Sequence, residues 1–257
     1  MVTTNAPLRT ENLSVVFNPD TETEVTAFRD ISFELKSEEI LAIVGPSGCG
    51  KSTLFNVIAG LQPATTGQVE VKNRQVADAT GHVGYMLQKD MLLPWRTVID
   101  NVCLGLEVQG LAKSVRRARA QELISAFGLA GFEQAKPGTL SGGMRQRVAF
   151  MRTLALDPDV ILLDEPFSAL DFQTRTLLQL EVMKIISEQK KSAVLVTHDI
   201  GEAVTMADRV LVLSRRPGTI KNLVEIDLSR EDRDPVKLRK NDKFQYYFQA
   251  LWEQLEL

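Results

Sequence analysis

The sequence predicts an α/β fold: a parallel core sheet flanked by helices, preceded by an antiparallel β subdomain and interrupted by an inserted helical subdomain. Three observations predict it. Short unbroken apolar runs at Ile40 to Val44, Val160 to Leu163, Ala193 to Val196 and Val210 to Leu213 read as strands buried on both faces. Stretches of helical spacing separate them, such as Leu178, Val182, Ile185 and Ile186. Gly45, Asp164 and Thr197-His198 follow the ends of these runs, which puts them along one sheet edge, where open α/β folds bind ligands.

Each element follows from its residues. Leu13 to Phe17 and Ile31 to Leu35 largely alternate apolar and polar residues, as half-exposed antiparallel strands do. Ile40 to Val44 then runs into GPSGCGKST, Gly45 to Thr53, which opens a helix. Gly60 to Gly67 reads as a loop, and Val69 to Val71 and His82 to Met86 as strands. From about Asp90 to Leu154 the character is helical: Ala120, Leu123, Ile124 and Phe127 share one face, and Gly128 ends that helix. Ser229 to Lys243 is charge-rich, contains Pro235 and reads as a solvated connection. Phe244, Tyr247, Phe248, Leu251, Trp252 and Leu255 then form the aromatic face of a terminal helix. Docking on its own domain is the expectation, with a partner or regulatory contact as the alternative.

The bulk numbers narrow the function. With 257 residues the chain can bury a real core without disulfides, and its two cysteines, Cys49 and Cys103, suit a reducing compartment. A formal net charge of -3 argues against a broadly basic nucleic-acid surface, so no nucleic acid is expected as partner. No stretch approaches the roughly 20 apolar residues of a membrane span. The opening MVTTNAPLRTENL has neither a basic start nor an apolar core, so no secretory signal is expected. Any membrane role would need a partner.

Gly45, Gly50, Lys51 and Ser52 fit the P-loop spacing G-x-x-x-x-G-K-[ST], in the strand-to-helix context the motif requires. Glycines let the backbone curl so that N–H groups of Gly45, Ser47, Gly48, Cys49 and Gly50 point at phosphate oxygens, and the following helix presents its positive end to the anion. Proline itself contributes no N–H, so Pro46 can only shape the loop. Lys51 would neutralise the β- and γ-phosphates of ATP, Ser52 would coordinate Mg²⁺, and Thr53 can donate a hydroxyl to a phosphate. Cys49 reads as a small loop residue, with a reactive role only if the helix end lowers its pKa. Val160-Ile-Leu-Leu-Asp164-Glu165 is a Walker B pattern: Asp164 would help hold Mg²⁺, and Glu165 is the candidate general base or water-positioning residue. His198, beyond a strand end, is placed to contact the γ-phosphate and orient water, whereas His82 has no such support.

Leu140-Ser141-Gly142-Gly143 followed by Met144-Arg-Gln-Arg147 narrows the class. With the P-loop, Gln88, the Walker B pair, Ser168-Ala-Leu-Asp171 and His198 in this order, the chain resembles the nucleotide-binding subunit of ABC transporters from about Leu13 to its C-terminal segment. The resemblance implies a P-loop NTPase (RecA-like) core over 8–228, with a helical subdomain at about 90–154 and a short extension at 229–257. It also implies a head-to-tail dimer with a second ATPase subunit, identical or closely related, in which Ser141, Gly142 and Gly143 of one copy cover ATP held at Gly45 to Thr53 of the other. Physically, a hydroxyl, backbone N–H groups and a helix dipole can together bind a phosphate. Asp171 would lie at the dimer interface, Phe17 would stack on adenine, and Gln88 would contact Mg²⁺ or the attacking water. Two residues depart from the commonest pattern: Phe17 stands where many relatives carry tyrosine, and Met144 where the signature LSGGQ has glutamine.

The run Leu92-Leu-Pro94-Trp95-Arg-Thr-Val98 through Asn101-Val102, the segment Leu213 to Ile220 and the short tail look like the import ATPases for nitrate, aliphatic sulfonates and taurine. That implies integral membrane permease subunits as partners, contacting Leu92 to Val98, a separate substrate-binding protein, and a peripheral location on the cytoplasmic face of the membrane. Trp95 either docks the permease or packs within the helical subdomain. The alternatives are an export or lipid-transfer ATPase and a soluble, non-transport ATPase, the latter disfavoured because the chain has neither a long coiled coil nor a second ATPase unit.

Overall fold

The computed structural model describes residues 6–78, 81–230, 233–238 and 240–255. The described residues form two sheets. Strands β1 (Leu8–Phe17), β2 (Val25–Leu35), β4 (Thr66–Val71) and β5 (Arg74–Gln75) form an antiparallel sheet in the order β2-β1-β4-β5. Strands β3 (Ile40–Val44), β6 (Gly84–Met86), β7 (Val160–Asp164), β8 (Ser192–Val196), β9 (Arg209–Leu213) and β10 (Ile220–Glu225) form the second, in the order β10-β9-β3-β8-β7-β6. All its pairings are parallel except β10 with β9.

The unbroken apolar runs have a direct structural reason. Successive side chains of a strand point to opposite faces. Ile40, Ala42 and Val44 of β3 enter one core with Ile161, Leu163, Ala193 and Leu195, while Leu41 and Ile43 enter a second core with Val160, Leu162, Val194 and Val196. The second core is closed by the antiparallel sheet and α1 (Lys51–Ile58). The first is closed by the helices of the inserted block, α2 (Val98–Val102), α3 (Leu104–Val108), α4 (Lys113–Ala126) and α5 (Gly142–Ala155), together with α6 (Phe172–Glu188) and α7 (Ile200–Met206). The predicted α4 face is buried at Ala120, Leu123, Ile124 and Phe127. Gly128 ends the helix with φ 64°, and Leu129 N–H closes back on Ile124 O at 2.9 Å.

Two short strands, β5 and β10, were not anticipated, and β4 begins at Thr66, inside the expected loop. The stretch 229–243 also differs from a solvated connection, although Glu231, Asp232 and Arg239 lie outside the described residues. Arg233 is 3% exposed and donates to Leu228 O, Met206 O and the Asp208 carboxylate, while Arg230 pairs with the same carboxylate. Pro235 and Leu238 of α8 (Pro235–Leu238) are buried as well. These contacts tie the chain end to the start of β9. Helix α9 (Asp242–Leu255) follows, buries Phe244 and Leu251, and packs Tyr247, Phe248 and Leu255 against the first core, so the terminal helix docks on its own chain. Among the described residues no helix is long and apolar enough to cross a membrane.

Candidate functional site

The site is assembled by turns that follow β3, β7 and β8. After β3 the chain curls through Gly45 to Gly50 and enters α1. Gly50 has φ 99°, and a Cβ there would meet Ala27 O and Phe28 Cδ1 at 3.1 Å, so both conformation and close packing against β2 call for glycine. Lys51 is buried across the loop, its Nζ donating to Gly45 O at 2.8 Å and Pro46 O at 3.1 Å. Ser47, Gly48, Gly50, Lys51, Ser52 and Thr53 line a cleft of about 740 Å³. The Cys49 thiol faces away from it, fully buried against the second core, and Cys49 N–H donates to Pro46 O. A reactive role for this thiol therefore lacks solvent access.

At the end of β7, Asp164 is 6% exposed and hydrogen-bonded by Ser52 and by Tyr85 Oη, the latter at 3.4 Å. Burial pushes its carboxyl up, with the Glu165 charge adding, while the Ser52 and Tyr85 hydrogen bonds and Lys51 oppose the shift. Burial, and then the Asp164 charge, likewise raise the Tyr85 phenol. Ser52 and Asp164 form an all-oxygen donor pair beside the phosphate loop, and Gln88 adds an amide oxygen at the cleft wall. That set fits Mg²⁺, which prefers oxygen ligands and binds through one or two carboxylates plus substrate phosphates.

Glu165 has φ 45°, a left-handed conformation that costs a non-glycine residue about 1–2 kcal/mol. Its N–H donates to Val196 O at 2.9 Å, which fixes the turn to the end of β8. Its Oε2 accepts from Gln88 Nε2 at 3.1 Å and lies 3.1 Å from His198 Nδ1. Three residues from three separate segments thus converge at the rim of the phosphate loop. Phe17, 40% exposed at the end of β1, lines the same cleft with Val25 and Ala27 and offers a ring to a planar ligand.

Ser141, Gly142, Gly143 and Asp171 do not line this cleft. Ser141 caps α5, its Oγ accepting from Met144 N at 3.3 Å, and leaves the helix N-terminus open to an anion. A Cβ on Gly143 would meet Thr174 Cγ2 at 2.4 Å, so this glycine lets α5 lie against the start of α6. Asp171 caps α6 through Gln173 and Thr174 N–H; a hydrogen bond from the Thr174 hydroxyl, and then these N–H bonds, hold its carboxyl below the usual range. His82 lies elsewhere, with Nε2 3.3 Å from Ile58 O.

Several contributors were missed in the sequence. Arg216 lines the cleft from a loop that Arg29 N–H and Ala27 O fasten to β2 through Gly218. Tyr85 reaches Asp164 because β6 and β7 pair in register. The sequence singles out Leu92 to Val98, but not the bonds that hold 90–97 as a shaped platform: buried Asn101 bonds to Leu93 N–H and to the carbonyls of Leu93, Arg96 and Thr97, while Arg152 donates to Asp90 O and Met91 O. On this platform Trp95 is 69% exposed and Met91 57% exposed, so Trp95 is not packed within the helical block.

Comparison with known proteins places the chain in a family. A family model described as ABC transporter covers residues 28–168. The chain is 47% identical to an uncharacterized ABC transporter ATP-binding protein of Methanocaldococcus jannaschii, MJ0412, over 90% of this chain and 86% of that protein. It is 41% identical to the taurine import ATP-binding protein TauB of Burkholderia pseudomallei over 97% of both chains. Among solved structures, a dimeric post-hydrolysis state of the ATP-binding cassette MJ0796 bound to ADP and Pi superposes with a TM-score of 0.76 at 31% identity, covering 86% of this chain and 100% of that one. CbiO1 from Clostridium perfringens, part of the ABC transporter complex cbiONQ, shares the fold with a TM-score of 0.74 at 23% identity, over 93% and 92% of the two chains.

Proposed function

Because the chain belongs to the ABC transporter family as an ATP-binding subunit with ATPase activity, we propose that it energises a bacterial-type importer for a small solute of the nitrate, sulfonate or taurine class. The observation that carries the catalytic part is the convergence of Gln88, Glu165 and His198 on one carboxylate oxygen beside the phosphate loop. In this reading Phe17 stacks on adenine, and the 45–53 loop with Lys51 holds the phosphates. Ser52 and Asp164, with Gln88, hold Mg²⁺, which when bound supplies positive charge to the phosphate oxygens. Glu165 accepts a proton from, or orients, the attacking water, and His198 and Gln88 fix the direction of its carboxylate.

The ATPase domain spans 8–228 with its helical subdomain at about 90–154, and 229–257 forms the C-terminal extension. Two copies, or this chain and a close relative, meet head to tail, so that Ser141 to Gly143 of one cover the nucleotide of the other and Asp171 lies at the seam. The open N-terminus of α5, set apart from the chain's own cleft, supports that composite site. Closure on ATP and reopening after hydrolysis would move the 90–97 platform, where exposed Trp95 and Met91 suit contact with membrane permease subunits. A separate substrate-binding protein would deliver cargo, and the subunit would sit peripherally on the cytoplasmic face. Import, rather than export, is supported by the relatives named for taurine import.

The test is to tag the protein in its native cell, solubilise membranes gently and identify what co-purifies. Recovery of an integral permease encoded with a binding protein is the expected result. Recovery of soluble partners alone, with ATPase activity intact, would overturn the transport reading, and a permease lacking any binding protein would overturn import.

A further inference from the structure

The His198 side chain is 65% exposed, against 21% for Glu165, so its position is set chiefly by the turn that carries it. That turn is locked from beneath. Thr197, 1% exposed, donates its hydroxyl to Glu202 Oε2 at 2.8 Å and accepts Asp199 N–H at 3.0 Å. Asp199 Oδ1 in turn accepts Glu202 N–H at 3.1 Å. Both neighbours of His198 in the chain are therefore bonded to one buried residue, or to its partner, at the start of α7. Arg175 of α6 extends the clasp: it donates to Asp199 Oδ2 at 3.3 Å and to Leu170 O at 3.0 Å, the residue before Asp171. From α9, Phe244 lies over Gly201, where an added Cβ would stand 3.2 Å from Asp199 Oδ1 and 3.8 Å from Phe244 Cζ.

Glu202 is an expensive choice for this place. It is 6% exposed, and its Oε1 is buried with no hydrogen-bond partner among the described residues. An apolar residue would fill the space without the desolvation cost, but would leave the Thr197 hydroxyl without its acceptor.

We propose that Glu202 is a positioning residue for His198, acting through Thr197 to hold the 197–199 turn in the shape that sets the imidazole beside Glu165. The inference rests on the reading of His198 as catalytic. Burial pushes the Glu202 carboxyl up to about 8; the Thr197 hydrogen bond and Arg175 of α6 oppose the shift, and Asp199 and Glu165 add to it. The side chains that α9 brings to this pocket, Phe244, Gln245 and Phe248, do not titrate in this range. The neutral form is therefore the working form near pH 7, and glutamine imitates it.

The experiment measures ATP hydrolysis by the full chain across pH 6.0–9.5 as a series of order-of-magnitude comparisons, with Thr197→Val, Thr197→Ser, Glu202→Gln, Glu202→Ala and His198→Ala set against the parent. Thr197→Val and Glu202→Ala should lower kcat by about tenfold to a hundredfold with the KM for ATP little changed, because misplacement of a catalytic group costs rate and not nucleotide binding. Thr197→Ser should restore the rate. The parent should show an inflection near pH 8, and Glu202→Gln should keep the rate near pH 7 and lose that inflection. Parent-like kcat in folded Thr197→Val would overturn the proposal even if Glu202→Ala fails to fold, as would an unchanged pH profile in Glu202→Gln. Should His198→Ala itself retain the parent rate, the fault lies in the reading of His198, not in the clasp.

Discussion

Glu165 Oε2 is shared: His198 Nδ1 stands 3.1 Å away on one side and Gln88 Nε2 on the other, also at 3.1 Å. The two partners come from the turn after β8 and the segment after β6, so the carboxylate direction is fixed by both flanks of β7. With one oxygen engaged twice, the proposed mechanism leaves Oε1 for the attacking water. Glutamine keeps the shape of Glu165 and removes the proposed base, so Glu165→Gln should lower kcat by about 10²–10⁴-fold with ATP affinity preserved. Steady-state turnover beside equilibrium nucleotide binding checks this.

Lys51 is held over the loop by the carbonyls of Gly45 and Pro46, close to where phosphate oxygens would lie. A charge-assisted hydrogen bond contributes about 1.5–3 kcal/mol. Lys51→Ala should therefore weaken ATP binding by roughly tenfold to a hundredfold. Fluorescent-nucleotide titration measures it, and unaltered affinity would remove Lys51 from the phosphate site.

Asp208 joins the chain end to the core. It accepts Ile40 N–H at 2.9 Å and pairs with Arg230 and Arg233. Burial alone would raise its carboxyl, but the Arg230 and Ile40 hydrogen bonds and the two guanidinium charges outweigh it and hold the carboxyl below its ordinary value. A depressed carboxylate stabilises the fold fully above its unfolded pKa of roughly 4, and that contribution is lost as pH falls through the folded value. Asp208→Asn should cost about 2 kcal/mol at pH 7, less than for a fully buried pair because the carboxylate is partly exposed. Urea unfolding should show the gap between parent and variant closing in acid.

Glu202 has the opposite sign. Its folded value near 8 exceeds its ordinary 4.5, so over that interval the folded state holds a proton that the unfolded state has released. Parent stability then falls as pH rises between the two values, by about 1.4 kcal/mol per unit. Glu202→Gln does not titrate and should gain about 2 kcal/mol on the parent between pH 6 and 7.5. Equal pH dependence in the two proteins would contradict a buried neutral carboxyl.

How much of this was legible depended on where each signal lies. The core strands were readable because both faces of β3, β7, β8 and β9 enter a core, which demands unbroken apolar runs. β10 was not, since Ile220–Glu225 is an edge strand with exposed Lys221, Asn222 and Leu223 and no such demand. Charge density made 229–243 look solvated, but the burial of Arg233 is decided by Asp208, 25 residues away in the chain. Motifs named Gln88, Glu165 and His198 individually. Their meeting on one oxygen, the support of Tyr85 behind Asp164 and the clasp beneath His198 arise from strand register and helix placement, which one-dimensional spacing does not carry.

In the proposed head-to-tail arrangement two chains complete each ATP site. The most direct measurement is the mass in solution of Glu165→Gln by sedimentation, with and without ATP and Mg²⁺, alone and combined with Ser141→Arg. A dimer is expected only when ATP is present, and Ser141→Arg, which places a bulky cation at the open end of α5, should abolish it. A mass indifferent to ATP, or an ATP-dependent dimer that tolerates Ser141→Arg, would contradict it.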